Sequence, residues 1–344
     1  EKLKSIIDLD RYDLLRLKRE IKRYRRFTPI LLKENLEWNK LAKIEVNASE
    51  LSGIVIDVGE RRFYPSGSAV AAVCGYVSPV TEKQSKKNPL FSIPGFKVGK
   101  SGMEKFYDTV LRGSSGSKQI EVNAFGRQIR ELEKREGKKG RDVWLTVDLE
   151  LQKYVNQRLT NESASCVVMD SQTGDVLALV STPSFDPNAF NRGLTNSEWQ
   201  NLLKNSRNPL NNKAISGQYA PGSTFKMVVA LAALEKGLIS NNSNYFCTGS
   251  LELGDSIFHC WKQHGHGKMN MVSAIEQSCD VYFYEVAKRL GINVISSMAR
   301  RLGLGQIFNI ELAGEAKGLM PTRAWKKKNK NSSWQQGETL LAGI

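Results

Sequence analysis

The sequence predicts an α+β protein, because helical and strand patterns occupy different stretches of the chain. Residues 227–234 form an apolar run that is hydrophobic nearly all round, which is typical of a buried helix. Residues 165–169 and 176–180 are short apolar runs on either side of a turn sequence, which predicts a β-hairpin. Together these patterns predict an antiparallel sheet flanked by helices in the second part of the chain.

The order of the elements indicates two domains, as expected for 344 residues. Residues 1 to about 43 are charged and helical, and residues 44 to about 140 mix short strands with glycine-rich turns. The segment 131–141 is charged and carries two glycines, which indicates a boundary. We therefore expect one domain over residues 1–140 and a second over residues 141–344. The polar stretch 326–334 is expected to be a surface loop.

The charge pattern does not favour nucleic-acid binding. The chain has 50 basic and 35 acidic residues, which gives a net charge of +15. These basic residues are scattered and are not interleaved with aromatic residues on one element, as a nucleic-acid surface would require. Solvated faces, or attraction to an anionic lipid or wall surface, explain the charge equally well. No apolar run approaches the roughly 18 residues that a membrane span needs.

Ser223 and Lys226 stand at the start of the apolar run, three positions apart. Positions i and i+3 of a helix share a face, with Cβ atoms about 5–6 Å apart, so Lys226 is expected to reach the Ser223 hydroxyl. A lysine amine that has lost its proton can activate a serine as a nucleophile. Gly222 permits an unusual backbone just before the pair. The four letters alone also fit a helix-capping serine and a solvated lysine, whereas the buried helix favours the nucleophile and its base.

A second polar joint, Ser278-Cys279-Asp280, lies between two helical patterns, and Gly291 ends the second of them. Ser278 and Asp280 can direct polar groups into a cleft at such a joint. Asp280 can instead simply cap the second helix. The two interpretations are compatible with each other.

Cysteines and histidines cluster in the same part of the sequence. Cys247, Cys260, His266 and Cys279 offer three thiolates and one imidazole, which is the ligand set of a closed, structural zinc site. His264 is an alternative to His266 as the fourth ligand. A disulfide between Cys247 and Cys260, with Cys279 free, is the competing interpretation in an oxidising compartment. Because a disulfide gives no reason for the histidines to gather here, the pattern favours Zn²⁺.

These patterns resemble the class B penicillin-binding proteins, and most closely their penicillin-binding protein 2 branch in rod-shaped Gram-negative bacteria. The S-x-x-K motif at Ser223 belongs to the signature of this family, together with S-D-N and K-T-G motifs. The likeness extends over essentially the whole chain. Further segments that carry it are residues 25–29, 62–68, 75–77, 99–104, 145–148, 180–187 and 318–321.

The resemblance implies a serine D,D-transpeptidase that cross-links peptidoglycan stem peptides during cell elongation and is acylated by β-lactams. By resemblance, Ser223 is the acylated nucleophile, Lys226 its base and Ser278 the serine of the second motif. Asp280 stands where many relatives have Asn, and a carboxylate cannot donate a hydrogen bond as an amide does. The family fold is an elongated, non-catalytic pedestal followed by a transpeptidase domain. Its penicillin-binding protein 2 members hold zinc at positions that match the four candidate ligands.

No K-T-G motif follows Ser278 in this sequence. We expect the third motif to lie beyond Ile344, so that the chain carries a C-terminally truncated transpeptidase domain and an incomplete active site. The resemblance also implies a position on the periplasmic face of the inner membrane, through an N-terminal anchoring helix that this chain lacks. Its implied partners are the SEDS-family glycosyltransferase RodA and the scaffold protein MreC. Two alternatives remain: a class D-like β-lactamase or sensor domain, and a non-catalytic cell-wall scaffold.

Overall fold

The computed structural model describes residues 3, 6–7, 9, 11–23, 28–51, 53–85, 88–123, 128–240 and 242–344. These residues belong to two compact units: residues 1–215 with 310–314, and residues 216–309 with 315–344. The family-like segment 25–29 lies mostly outside the described residues. Within the described part of the chain, no helix combines the length and apolar character needed to cross a membrane. The predicted domain boundary at residue 140 stays a prediction.

The first unit consists mainly of short helices. They are α1 Arg11–Arg23, α2 Trp38–Val46, α3 Ala71–Cys74, α4 Glu82–Ser85, α5 Gly102–Phe106, α6 Asp108–Arg112, α7 Leu149–Arg158, α8 Pro187–Arg192, α9 Asn196–Lys204 and α10 Lys213–Ser216, with 3-10 helices at Gly67–Val70 and Pro89–Ser92. Side chains cap several of them, as where the Asp148 carboxylate accepts hydrogen bonds from two backbone N–H groups at the start of α7. The α10 helix ends at the boundary of the unit.

Each strand of the first unit pairs with one antiparallel partner. The pairs are β1 Val77–Pro79 with β2 Lys97–Gly99, β3 Ser117–Val122 with β4 Gln128–Arg135, and β5 Ala164–Met169 with β6 Val176–Thr182. The third pair confirms the hairpin predicted from the sequence. The buried side chain of Gln152 on α7 holds β6 in place, because its amide both donates to and accepts from the backbone of Leu179, each at 2.8 Å.

Two segments of this unit have structure that their composition does not reveal. Residues 131–135, which begin the charged segment 131–141, lie in strand β4, where their charged side chains are exposed on a hairpin. Cys74 follows the apolar run 71–73, whose composition is typical of a strand, but it is the last residue of helix α3 and is half-buried. Pairing across a hairpin and a short helical turn are set by neighbouring segments, which composition alone does not reveal.

The second unit packs its core around three helices. Its helices are α11 Lys226–Glu235, α12 Met271–Glu276, α13 Asp280–Leu290, α14 Ile292–Arg301, α15 Arg323–Lys330 and α16 Gln336–Leu341, preceded by a 3-10 helix at Gly222–Phe225. Its strands are β7 Tyr245–Cys247, β8 Ser250–Leu253, β9 Ser256–His259 and β10 Gly267–Met269, and β7 pairs with β10 and β8 with β9, both antiparallel. Val229 of α11, Phe283 of α13 and Ile295 of α14 are all fully buried in this core. The helices and antiparallel ladders together confirm the α+β class.

Helix α11, which begins at Lys226, is less buried than its sequence suggests. Met227, Leu231 and Leu234 are 53%, 46% and 37% exposed, whereas most of the positions between them are buried. Their i, i+4, i+7 spacing places them on one stripe of the helix. The polar segment from residue 326 also differs from its prediction, because Thr322 caps α15 and the helix continues to residue 330. The helix stop predicted at Gly291 is confirmed, with a φ of 74°.

Candidate active site

A glycine-led turn separates the predicted nucleophile from its base. Gly222 has a φ of 56°, in the left-handed region that glycine adopts without strain. Ser223 follows in the 3-10 helix and is exposed, whereas Lys226 begins α11 and is only 1% exposed. The Thr224 hydroxyl closes the turn by donating to the carbonyl of Pro221 at 2.7 Å. The change from 3-10 to α geometry therefore presents the serine to solvent and turns the lysine inward.

The second motif is built on the end of helix α12. The N–H of Ser278 donates to the carbonyl of Ile275 at 3.1 Å, and the N–H of Cys279 donates to that of Ala274 at 2.9 Å. This is the Schellman arrangement, in which the residue at the Ser278 position adopts a left-handed conformation and is usually glycine. Ser278 has a φ of 52°, which costs a non-glycine residue about 1–2 kcal/mol. Cys279, and not Asp280, is the N-cap of α13.

A chain of hydrogen bonds joins the predicted catalytic residues. The Lys226 ammonium donates to Ser278 Oγ at 3.0 Å, and Ser278 Oγ donates to Ser223 Oγ at 2.7 Å. Lys226 Nζ also donates to the Ser278 carbonyl at 2.9 Å and to Asp280 Oδ1 at 2.6 Å. The three N–H groups of an ammonium thus have three acceptors. Among the described hydrogen bonds none joins Ser223 directly to Lys226, so the predicted direct contact is wrong and Ser278 lies between them.

The ion pair between Lys226 and Asp280 lies inside the unit. The two side chains are 2% and 14% exposed, so the amine and the carboxylate interact with little competition from water. Asp280 therefore directs its acceptor at the lysine, and it does not act as the simple helix cap considered from the sequence. A hydroxyl can both donate and accept, so Ser278 can pass a proton from Ser223 to Lys226 once the amine is neutral.

The four candidate metal ligands converge on one point. Their donor atoms all lie within 4.8 Å of one another, and Cys247, Cys260 and Cys279 are free thiols. His266 Nδ1 lies 3.6 Å from the Cys247 sulfur and 3.5 Å from the Cys260 sulfur. Tetrahedral bonds of about 2.3 Å to sulfur and 2.0–2.1 Å to nitrogen separate the two donors by about 3.5 Å. The donor types and their spacing therefore fit a structural zinc ion.

Local structure explains why these donors meet. Gly265 has a φ of 75°, and a Cβ on it would lie 2.1 Å from the Cys247 carbonyl oxygen, so only glycine lets the two backbones approach. Burial lowers the pKa of His266, which keeps the ring neutral, and the second ring nitrogen, Nε2, is buried without a partner among the described residues. Burial raises the pKa of the Cys279 thiol to about 12. The alternative ligand His264 is exposed and stands outside this group.

Trp261 joins the metal-ligand cluster to the second motif, and the sequence analysis missed it. Its indole N–H donates to the carbonyls of Gln277 at 3.0 Å and Ser278 at 3.1 Å. Its backbone N–H donates to Asp280 Oδ2 at 3.0 Å, and its ring lies edge-on to that of His266, with centroids 5.2 Å apart. Its position directly after the predicted ligand Cys260 could have drawn attention to it, because a tryptophan N–H usually has a hydrogen-bond partner.

The chain is similar to known proteins along its whole length. The family model described as "Penicillin binding protein transpeptidase domain" matches residues 164–341, and the one described as "Penicillin-binding Protein dimerisation domain" matches residues 1–145. The peptidoglycan D,D-transpeptidase MrdA of Escherichia coli K12 is 39% identical over 99% of this chain. The chain spans 55% of the length of that relative.

Solved structures of penicillin-binding protein 2 (PBP2) are also similar. PBP2 of Pseudomonas aeruginosa, in complex with WCK 5153, is 34% identical with a TM-score of 0.72, over 84% of this chain and 61% of that protein. PBP2 of Helicobacter pylori, in its complex with MreC, is 30% identical with a TM-score of 0.79, over 98% and 66%. By sequence along its whole length and by fold, the chain belongs to the penicillin-binding proteins that carry a transpeptidase domain, and the solved structures named above are of the PBP2 type.

Proposed function

We propose that the full-length protein is a serine D,D-transpeptidase that cross-links peptidoglycan stem peptides during cell elongation. The observation that carries this proposal is the hydrogen-bond chain from an exposed Ser223 through Ser278 to a buried Lys226. It supplies a nucleophile, a proton path and a base, each within hydrogen-bonding distance of the next. Relatives that match the whole chain are named peptidoglycan D,D-transpeptidases, which supports the same reaction.

The first half-reaction transfers the stem peptide to the enzyme. Ser223 Oγ attacks the carbonyl carbon of the penultimate D-alanine, while its proton passes through the Ser278 hydroxyl to neutral Lys226. The tetrahedral intermediate then breaks its C–N bond, and the same path returns the proton to the leaving amine. Free D-alanine departs and an ester on Ser223 remains. The proton path through Ser278 replaces the direct transfer expected from the spacing of the motif.

The second half-reaction makes the cross-link. The side-chain amine of a neighbouring stem peptide attacks the ester carbonyl, and its proton moves along the path to Ser223 Oγ as the ester bond breaks. The product is an amide between two stems and a free serine. Asp280 holds the Lys226 amine towards Ser278 in both steps, through its 2.6 Å ion pair. A β-lactam would follow the first half-reaction and stay on Ser223.

A zinc ion is part of this proposal. Cys247, Cys260, His266 and Cys279 would hold it, and the spacing of their donor atoms supports the assignment. Four protein ligands leave no position for a reactive water, so the ion would tie the loop to the second motif and take no part in the reaction. Elemental analysis of protein purified without chelator is expected to find about one zinc per chain. Protein free of zinc under those conditions would contradict this assignment.

We further propose that the protein works at the periplasmic face of the inner membrane, with RodA and MreC as partners. A penicillin-binding protein 2 from Helicobacter pylori has been solved in complex with MreC, which supports the second partner. Another similar structure concerns polymerization and crosslinking by a peptidoglycan synthase complex, which supports a glycan-polymerising partner. Co-purification of full-length protein with each tagged partner from membranes tests this, and the absence of both would contradict it.

Labelling of the full-length protein with fluorescent penicillin tests the proposed reaction. Mass spectrometry is expected to find a persistent adduct on Ser223, and S223A is expected to lose it. S297A removes an exposed serine from α14 of the same unit and serves as the matched control. Rapid hydrolysis of penicillin without a lasting adduct would favour a class D-like β-lactamase. Absence of labelling in the wild-type protein would favour a non-catalytic scaffold.

A further inference from the structure

We propose that Trp261 is a positioning residue for acylation, which acts by holding the second motif against the lysine base. This inference rests on the proposed transpeptidase function. Trp261 touches none of the reacting atoms in the described structure. Two of its three hydrogen bonds go instead to groups that also accept from Lys226, which are the Ser278 carbonyl and the Asp280 carboxylate, and the third goes to the Gln277 carbonyl.

The Ser278 carbonyl and the Asp280 carboxylate each accept hydrogen bonds from both Lys226 and Trp261, and this fixes their orientation. Asp280 gives one oxygen to Lys226 and the other to the backbone N–H of Trp261, so the carboxylate cannot rotate without breaking one of two bonds. The Ser278 carbonyl accepts from Lys226 at 2.9 Å and from the indole N–H at 3.1 Å. Trp261 and Lys226 thus approach the second motif through the same two acceptors.

Ser278 needs such support because its backbone is strained. Its φ of 52° is unfavourable for a non-glycine residue, so the backbone would relax out of the left-handed region if nothing held it there. That movement would carry Ser278 Oγ away from Ser223. Fixing the carbonyl of Ser278 fixes the peptide plane that follows it and opposes the movement. If the indole N–H is lost, the competent conformation is populated less, and the apparent acylation rate falls in proportion.

A purely structural role does not explain these contacts. The Trp261 side chain is 65% exposed, so it buries little apolar surface for a tryptophan. Its hydrogen bonds also lie at the surface, where water can replace them at little cost to stability. What water cannot supply is one rigid donor that reaches Gln277 and Ser278 together from a fixed ring.

The experiment removes the N–H and keeps the ring. In full-length protein, Trp261 is replaced by β-(3-benzothienyl)alanine, in which sulfur stands in place of the indole N–H, and in a second variant by phenylalanine. Saturation kinetics with fluorescent penicillin separate the non-covalent dissociation constant from the acylation rate constant. We expect the rate constant to fall about 3- to 10-fold in both, which corresponds to the loss of one neutral hydrogen bond. The dissociation constant is expected to stay within about twofold.

Two controls make the result specific. A 5-fluorotryptophan at position 261 keeps the N–H and is expected to restore the wild-type rate. W144F changes an exposed tryptophan of the other unit and is expected to change nothing. Thermal unfolding of all variants is expected to match the wild type, since the ring contact with His266 is preserved in the isostere.

Hydrogen exchange supplies a readout that needs no penicillin. Amide exchange over residues 277–280 is expected to be faster in the benzothienyl variant than in the wild type. If the wild-type protein is not labelled by penicillin, the transpeptidase proposal fails, and this exchange measurement still decides whether Trp261 holds the second motif. A benzothienyl variant with wild-type exchange, or with the wild-type acylation rate constant, would overturn the inference.

Discussion

Ser278 offers a test that separates backbone strain from chemistry. Replacing it with alanine or with glycine removes the same hydroxyl, and with it the bridge between Lys226 and Ser223. The two variants differ in how well they tolerate the left-handed backbone at this position, where φ is 52°. Comparing them therefore isolates the conformational cost of a side chain at the end of helix α12.

The structure gives the size of the expected difference. A left-handed conformation costs a non-glycine residue about 1–2 kcal/mol, whereas glycine loses about 0.5–1 kcal/mol more backbone entropy on folding. S278G should therefore be more stable than S278A by about 0.5–1 kcal/mol. Both variants lack the proton path, so acylation should fall by about 100-fold or more in each, within the range typical of general acid–base groups.

Native-state hydrogen exchange of helix α13 measures the stability difference within the second unit. Fluorescent penicillin measures acylation of the full-length proteins under the same conditions. The expected result is two proteins of equal, low activity and unequal stability. Equal stability would refute the strain assigned to Ser278, and wild-type acylation in either variant would refute its place in the proton path.

Three further predictions concern the Lys226–Asp280 ion pair, the capping of helix α9 in the first unit and the metal site. D280A leaves Lys226 as a buried charge without its partner and is expected to destabilise the second unit by about 3–5 kcal/mol in chemical unfolding. D280N is expected to destabilise it less, because the amide oxygen can still accept a hydrogen bond from Lys226. Equal losses of stability in the two variants would argue against the ion pair. The pKa of Glu198 is lowered to about 2, first by the backbone N–H of Thr195, so its contribution to stability is present above its unfolded pKa of about 4.3 and lost as pH falls towards 2. Melting curves of E198Q and the wild type should accordingly differ at pH 7 and converge near pH 2. Removing zinc with a chelator is expected to slow penicillin acylation and to be reversed by added zinc, and unchanged acylation of metal-free protein would contradict a link between the metal site and the second motif.

The site divides into a part that local sequence predicts and a part that it does not. The three-residue spacing of Ser223 and Lys226 identified them as candidate site residues, and clustering along the sequence identified the cysteines and His266. The first signal works because Ser223 and Lys226 lie on one short segment, and the second because all four candidate ligands fall within residues 247–279. The hydrogen bonds that complete the site join residues 52 to 55 positions apart. No periodicity in the sequence encodes such contacts.

Two errors show where local reasoning fails. The sequence predicted a direct approach of Lys226 to Ser223 because it treated the motif as one regular helix, whereas a 3-10 helix precedes α11 and turns the two side chains apart. The sequence also left open that Asp280 caps α13, whereas Cys279 takes the cap and Asp280 is drawn to the buried lysine. In both cases the buried Lys226 amine forms hydrogen bonds with residues from a distant part of the chain.

The sequence alone determined which side chains are available to the site: a serine and a lysine three positions apart, a second serine two positions before an acid, and four side chains of the types that zinc prefers. Tertiary structure decided how they connect: Ser278 lies between Ser223 and Lys226, Asp280 pairs with Lys226, and Trp261 donates hydrogen bonds to both Ser278 and Asp280. The physical reason is that a buried ammonium must satisfy all three of its donors, and only packing of α11 against α13 determines which acceptors are within reach.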